Sequence, residues 1–190
     1  MFMKIVNAPM ALLLCMLIIL IENTGCRTAI FEIKNVTCRK YNKEPVKQIS
    51  CEFVKRGTNN YSITLQTTFS RNLVRSFKSH VTIDVMPSNS RQIIHLIDLR
   101  FNSCMFLQQS LTNQLIKPLI AEFKRVTNLP KKCPYKKDVL YEAKNFSLTK
   151  SFIPSYFPSV SYNTTLHHYD RNEIIGTIQI FGGSEQKSKR

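Results

Sequence analysis

The chain has 190 residues, enough for one domain with a full hydrophobic core and too few for two comfortable ones. It carries 27 Lys+Arg against 12 Asp+Glu, a formal net charge of +15, which favours acidic partners (anionic lipid headgroups, sulfated or sialylated glycans, nucleic acid) and equally suits a soluble, self-repelling surface. No G-x-S-x-G, phosphate-loop or H-E-x-x-H pattern occurs, which excludes the common hydrolase, nucleotide-binding and zinc-protease signatures.

At the N terminus Met1 to Lys4 form a short positive region, Ala8 to Ile21 an uncharged apolar stretch, and Glu22 to Gly25 a polar exit toward small residues. This layout predicts a cleaved signal peptide over residues 1–26, cut after Cys26 or after Gly25, and a secreted, extracellular product. No transmembrane anchor is expected, because a span needs about 20 apolar residues and Asn7 and Pro9 interrupt this one. The remainder predicts a single domain over 27–181 and a basic, disordered tail over 182–190, ending in Lys187, Lys189 and Arg190.

Cysteines stand at 15, 26, 38, 51, 104 and 133. Cys15 leaves with the apolar stretch, and a cut after Cys26 leaves an even set, Cys38, Cys51, Cys104 and Cys133. No C-x-x-C pair and no Cys/His cluster at ligand spacing appears, so neither a metal nor a cofactor is expected, and an oxidised framework is the default. Four N-x-S/T sequons, at Asn35, Asn60, Asn145 and Asn163, suit the same compartment. Asn35 shares a period-two face with Phe31 and Ile33, so either its strand ends there or the site is unmodified.

Further along, a strand through Cys51 to Lys55 and another over Tyr61 to Ser70 flank the turn residues Gly57 to Asn60, predicting a hairpin. Tyr61, Ile63, Leu65 and Phe69 form the apolar face of the second strand. Val81, Ile83 and Val85 alternate with His80, Thr82 and Asp84 in the same way, and Pro87 to Ser90 form a turn before Ile93 to Phe101. Leu107, Leu111, Leu115, Leu119 and Phe123 then recur at helical steps, predicting an amphipathic helix that Pro118 must kink or restart. A last hairpin joins Ser159–Tyr169 to Ile174–Phe181 through Asp170 to Asn172. In Ser159–Tyr169 the apolar set Val160, Tyr162 and Leu166 sends Asn163 to the opposite, solvent face. The sum is a mainly β, antiparallel β-sandwich with one helical insertion between Cys104 and Cys133.

Four cysteines allow three connectivities. A sequential pairing, Cys38 with Cys51 and Cys104 with Cys133, would strap the helix against the sheets.

The histidines offer no ready catalytic site. His80 reads as an outward strand residue, His167 and His168 point to opposite faces of one strand, and His95 among Ile93, Ile94, Leu96 and Ile97 reads as a core residue. An enzyme is therefore not expected. Phe101, Phe106, Phe123, Tyr141, Phe146, Phe152, Tyr156 and Phe157 either fill a core or line an apolar cavity between two sheets.

The segments F-E-I-K-N-V-T-C (31–38), C-E-F-V-K-R (51–56), F-N-S-C-M-F-L (101–107), T-N-L-P-K-K-C-P-Y (127–135) and P-S-V-S-Y (158–162) resemble an insect-expanded family of small secreted proteins of unknown function. That family is related to the CheB chemosensory proteins and is similar in outline to the MD-2-related lipid-recognition (ML) proteins. The resemblance covers about residues 30–181, its most specific element being Asn128 followed by Cys133 and Pro134. Asn102, where an acidic residue is usual, and Ser159, where glycine is common, depart from the pattern. The resemblance implies an Ig-like, ML-like sandwich whose two sheets can part to hold a lipid, and no catalytic residue.

The expected function is a secreted, non-enzymatic binding protein for a lipid-like or other small apolar ligand, with a role in chemosensation. Ile63, Leu65, Ile83, Phe106, Leu119, Phe123, Phe157 and Ile178 are the expected lining, with Lys131, Lys132, Lys136 and Lys137 near a rim. The alternatives are a secreted interaction protein with a filled core that engages a receptor or acidic glycan, and a secreted hydrolase or nuclease. Nucleic acid is not an expected partner of the leading reading.

Overall fold

The structure, a computed structural model, describes residues 27–41, 44–74, 76–106, 117–152 and 157–188. Its elements in chain order are β1 (Arg27–Lys40), β2 (Val46–Gly57), β3 (Asn60–Phe69), β4 (Lys78–Pro87), β5 (Ile94–Asn102), α1 (Lys117–Val126), β6 (Leu140–Thr149), a short 3-10 turn (Lys150–Phe152), β7 (Val160–Asp170) and β8 (Glu173–Ser188). The segment expected to be a signal peptide, residues 1–26, lies outside the described residues.

The strands form two sheets, a five-stranded one in the order β1-β8-β7-β4-β5 and a three-stranded one in the order β2-β3-β6. Every pair within them is antiparallel. Packed face to face, they give the expected β-sandwich. Both short hairpins turn through left-handed backbone, each with an asparagine, which tolerates it, in the turn. Asn59 (φ 55°) turns β2 into β3, and Arg171 and Asn172 (φ 49° and 69°) form a two-residue turn from β7 to β8. Asn59 also clips its turn to β1: its Oδ1 accepts from Phe31 N at 2.8 Å and its Nδ2 donates to Ala29 O at 3.1 Å.

The three-stranded sheet is too narrow to cover five strands. β2 packs on β1 and β8, and the helix, packed on β6, lies beside that sheet. Pro118 sits in the first turn of α1, where a missing N–H is tolerated. The part of the helix expected over 107–116 lies outside the described residues. After α1, Asn128 substitutes for a strand: its Nδ2 donates to Leu140 O at 2.9 Å and its Oδ1 accepts from Glu142 N at 2.7 Å, while Thr127 Oγ1 donates to Glu142 O at 3.0 Å. Disulfides join Cys38 to Cys51, linking the two sheets through β1 and β2, and Cys104 to Cys133, closing the loop that contains α1. This is the sequential pairing.

Two core clusters hold the layers together. Phe31, Ile33, Tyr61 and Ile63 fill one end of the sandwich. Val46, Phe69, Leu73, Phe77, Cys104, Tyr135, Tyr141 and Ile175 fill the other. Burial of such side chains contributes about 1.5–3 kcal/mol each.

Three expectations need correction. Residues 182–188 are not a disordered tail, because β8 continues to Ser188 and pairs with β1 from Ile33↔Gly182 to Arg27↔Ser188. β1 would otherwise leave its backbone unpaired along that length. His95 is not a core residue: its side chain is 75% exposed, with Nδ1 2.7 Å from Asp84 Oδ1. A bulge is the cause, since Ile83 pairs with Ile97 but Asp84 with His95, so the extra residue Leu96 turns His95 to the outer face. At Asn35 the strand does not end. Ile33 pairs with Gly182 and Asn35 with Phe181, so a bulge at Lys34 breaks the period and leaves Asn35 exposed while the strand continues.

Candidate functional site

Between the sheets lies a cavity of about 330 Å³, at the lower end of the ~300–1,000 Å³ range of small-molecule pockets. β4 contributes Val81 and Ile83, β5 Ile97, Leu99 and Phe101, β7 Tyr162 and Leu166, and β8 Ile178 and Ile180. Ile49, Leu65, Phe146 and Leu148 line it from the three-stranded sheet, and Leu119, Ile120 and Phe123 from α1. A run of rings spans the gap between the sheet edges. Phe101 stacks on Phe106 at 4.7 Å between centroids, Phe106 meets Phe123 at 6.0 Å, and Phe123 meets Phe146 at 5.9 Å.

Period-two alternation explains most of this wall, because the residues that face inward on β4 and β7 are 79, 81 and 83, and 162, 164, 166 and 168. The same parity brings a few polar groups inside. Ser79, Ser103, Tyr135 and His168 line the cavity together with Gln66 and Glu142, the last two joined by a hydrogen bond from Gln66 Nε2 at 3.2 Å. Glu142 is the one acidic residue on the wall, and neither lysine nor arginine contributes among the described residues. Burial pushes the His168 imidazole down to about 4, with His167 adding to the shift, so the ring is neutral at physiological pH. Burial likewise raises the Tyr135 and Tyr162 phenols, which keep their protons.

Of the residues expected on the lining, Leu65, Ile83, Phe106, Leu119, Phe123 and Ile178 are brought together on the cavity wall. Ile63 and Phe157 are not. Ile63 is fully buried against Phe31, Ile33 and Tyr61, where the sheets close on each other, and Phe157 is half-buried, its carbonyl accepting from Gln186 Nε2 at 3.2 Å. Lys131, Lys132, Lys136 and Lys137 are exposed on the loop around Cys133 and touch none of the cavity wall. Their neighbours Leu129 and Tyr135 turn inward instead, leaving the ammonium groups in water. Among the lining residues that the expectation missed are Ser79, Leu99, Phe101, Tyr162 and His168, all in step with apolar residues two positions away.

Asn60 and Asn145 are exposed, like Asn35, and Asn145 Oδ1 accepts from Ser62 Oγ at 3.2 Å. Asn163 does face away from the cavity but is half-buried between Asp84 and Phe181, with its Oδ1 buried and unpartnered. His80, on the outer face, is only 12% exposed and bonds Asp98 Oδ1 at 2.7 Å, while His167 Nδ1 lies 2.8 Å from Thr177 Oγ1. Among the described residues no group of His, Cys, Asp or Glu could hold a metal ion, and no helix is long and apolar enough to cross a membrane. A second depression, of about 500 Å³, lies near the β2–β3 turn and is lined by Lys34, Lys55, Lys187, Glu32 and Glu185 together with small polar residues and apolar ones such as Ile30, Met86 and Val160. Its mixed charges suit water, whereas the wall of the inner cavity does not.

Fold and site together define a disulfide-bonded, two-sheet antiparallel β-sandwich with an apolar internal cavity. Residues 77–164 match the family described as Protein of unknown function (DUF1091). No curated protein matches the sequence. Among solved structures the chain is similar to a Niemann-Pick type C2 protein from Japanese carpenter ant, at 12% identity and a TM-score of 0.30, over 85% of this chain and 96% of that one.

Proposed function

We propose that the protein binds and carries a lipid-like or other small apolar ligand outside the cytosol, without an enzymatic step. The observation that carries the reading is the cavity of about 330 Å³ walled by aliphatic and aromatic side chains from both sheets and α1. Apolar space of this kind is filled more favourably by hydrocarbon than by water, at about 0.8 kcal/mol per buried methylene. Export behind a cleaved signal peptide, glycosylation at the exposed sequons and a role in chemosensation belong to the same proposal; the two disulfides support an oxidising compartment.

Native mass spectrometry of the protein, produced through a eukaryotic secretory pathway, tests it. Adducts of lipid mass, or uptake from a mixed lipid pool, are expected, and Ile83→Trp, which fills the cavity, should abolish them while the fold persists. Absence of bound lipid and of uptake overturns the reading. Four exposed lysines around Cys133 support a second reading, an interaction protein that engages an acidic glycan or receptor. Heparin retention in a protein that takes up no apolar ligand would favour it.

A further inference from the structure

One part of the cavity wall is polar. Ser79 on β4 and His168 on β7 are direct cross-strand partners, and Ser79 Oγ lies 2.9 Å from His168 Nδ1. The same oxygen lies 2.7 Å from Ser103 Oγ, just beyond β5, and Ser103 O accepts from the Tyr135 hydroxyl at 3.1 Å. Phe77 supports the imidazole, with ring centroids 5.6 Å apart. Ser79, Ser103 and Tyr135 are buried, and all of these side chains line the cavity.

The second ring nitrogen, His168 Nε2, has no hydrogen-bond partner among the described residues. Nε2 is not among the fully buried atoms left without a partner, so it stays open to a group that enters the cavity and can gain a hydrogen bond from it. The hydroxyl pair can run in either direction. If Ser103 donates to Ser79 and Ser79 to Nδ1, then Nε2 carries the proton and donates; if Nδ1–H donates to Ser79 and Ser79 to Ser103, Nε2 is a bare acceptor. The chain therefore presents one neutral nitrogen that adapts to the group before it. No cation on the cavity wall would compensate a buried anion, and desolvating a carboxylate or phosphate against neutral groups is costly.

We infer that the Ser103–Ser79–His168 chain recognises the uncharged, oxygen-bearing end of the ligand, selecting an alcohol, ester or ketone on an aliphatic body over an alkane or an acid. The inference rests on the cavity being an apolar-ligand site. The test displaces Nile red, a neutral apolar probe, from the full protein at neutral pH with decanol, decanoic acid and decane. Decanol is expected to compete at concentrations lower by about tenfold, the equivalent of one net hydrogen bond. His168→Phe should erase that preference, read within the variant as the ratio of decanol to decane displacement. A measurement independent of any variant is the nitrogen NMR spectrum of the wild-type His168 ring, whose Nε2 resonance should move with decanol and stay put with decane. Uptake of probe with no preference for the alcohol, or with decanoate strongest, overturns this inference alone. Failure of the wild-type protein to take up any apolar probe overturns the cavity reading and the inference with it.

Discussion

The Tyr162 side chain lies across Gly182, its direct partner on β8, and its hydroxyl donates to Glu32 O on β1 at 3.1 Å. The phenol thereby spans three adjacent strands of the larger sheet. It needs the space a side chain at Gly182 would occupy, since a Cβ there would collide with both the Glu32 carbonyl and the Tyr162 ring. Gly182→Ala should therefore destabilise the fold by about 1–3 kcal/mol, the usual cost of overpacking. Urea unfolding would show it as a lowered midpoint. Gly57, with nothing near its missing Cβ, should accept Ala within about 0.5 kcal/mol.

Asp170 closes β7 with a side chain only 3% exposed, accepting from Ser76 Oγ at 2.7 Å and from the Arg71 guanidinium. Burial alone would raise its carboxyl, but the hydrogen bonds from Ser76 and Arg71 and the charge of Arg71 outweigh it and hold the carboxyl below its ordinary value. Removing one partner of a buried ion pair costs ~3–5 kcal/mol; because the Arg71 side chain is 38% exposed, Arg71→Leu should cost less, about 2 kcal/mol. The pair's contribution is complete above the unfolded carboxylate's pKa, near 4, and is lost as pH falls through the lower folded value. Denaturation at pH 7 and pH 3 should show the variant's deficit shrinking in acid.

His168 gives an acid sensitivity at higher pH. Its folded value of about 4 lies below the ordinary 6.5, so the unfolded chain binds a proton that the folded chain refuses. Stability from this group is complete above pH 6.5 and falls as pH drops toward 4, by up to ~3 kcal/mol at 1.36 kcal/mol per unit. His167, lowered by burial and then by His80, acts in the same direction on the outer face. Unfolding midpoints measured from pH 7.5 to 4.5 should fall steadily, and His168→Phe should flatten the slope without levelling it.

The Cys104–Cys133 disulfide spans 29 positions and encloses both Phe106 and α1. Replacing both cysteines by alanine should lower stability by ~3–4 kcal/mol in the chain-entropy account. Because the enclosed segment supplies Phe106, Leu119 and Phe123 to the cavity wall, the same variant should bind an apolar probe more weakly even where it remains folded. Fluorescence titration beside an unfolding curve separates the two effects.

How much of this was readable in advance follows from the range of the forces involved. Tyr61 to Phe69 and Val81 to Val85 announce half-buried strands because side chains two apart share a face whatever the partner strand is. Asn59 and Asn172 announce turns because asparagine is among the few residues that adopt a left-handed backbone cheaply. The same alternation already contained Ser79 and His168, in step with Val81 and Leu166, and the polar part of the cavity was missed because the expected wall was drawn from apolar residues alone, with lysines at its rim. Asn128 stood out through resemblance, and its two hydrogen bonds to β6 supply the physical reason.

Local chemistry, then, set the strands, turns and cysteines of this protein. What the folded chain alone decided are features that depend on strand partners far away in sequence. The bulges at Lys34 and Leu96, which expose Asn35 and His95, arise from the register of β1 on β8 and of β4 on β5. Pairing with β1 likewise draws residues 182–188 into the sheet. The cavity has the same origin: Leu65 lines open space while Ile63, one step along the same face of β3, meets Phe31 and Ile33, because the sheets close on each other at the two core clusters and leave room between them that α1 flanks. Alternation specifies which side chains turn inward, but only the spacing of the two sheets determines whether they meet each other or leave room for a ligand.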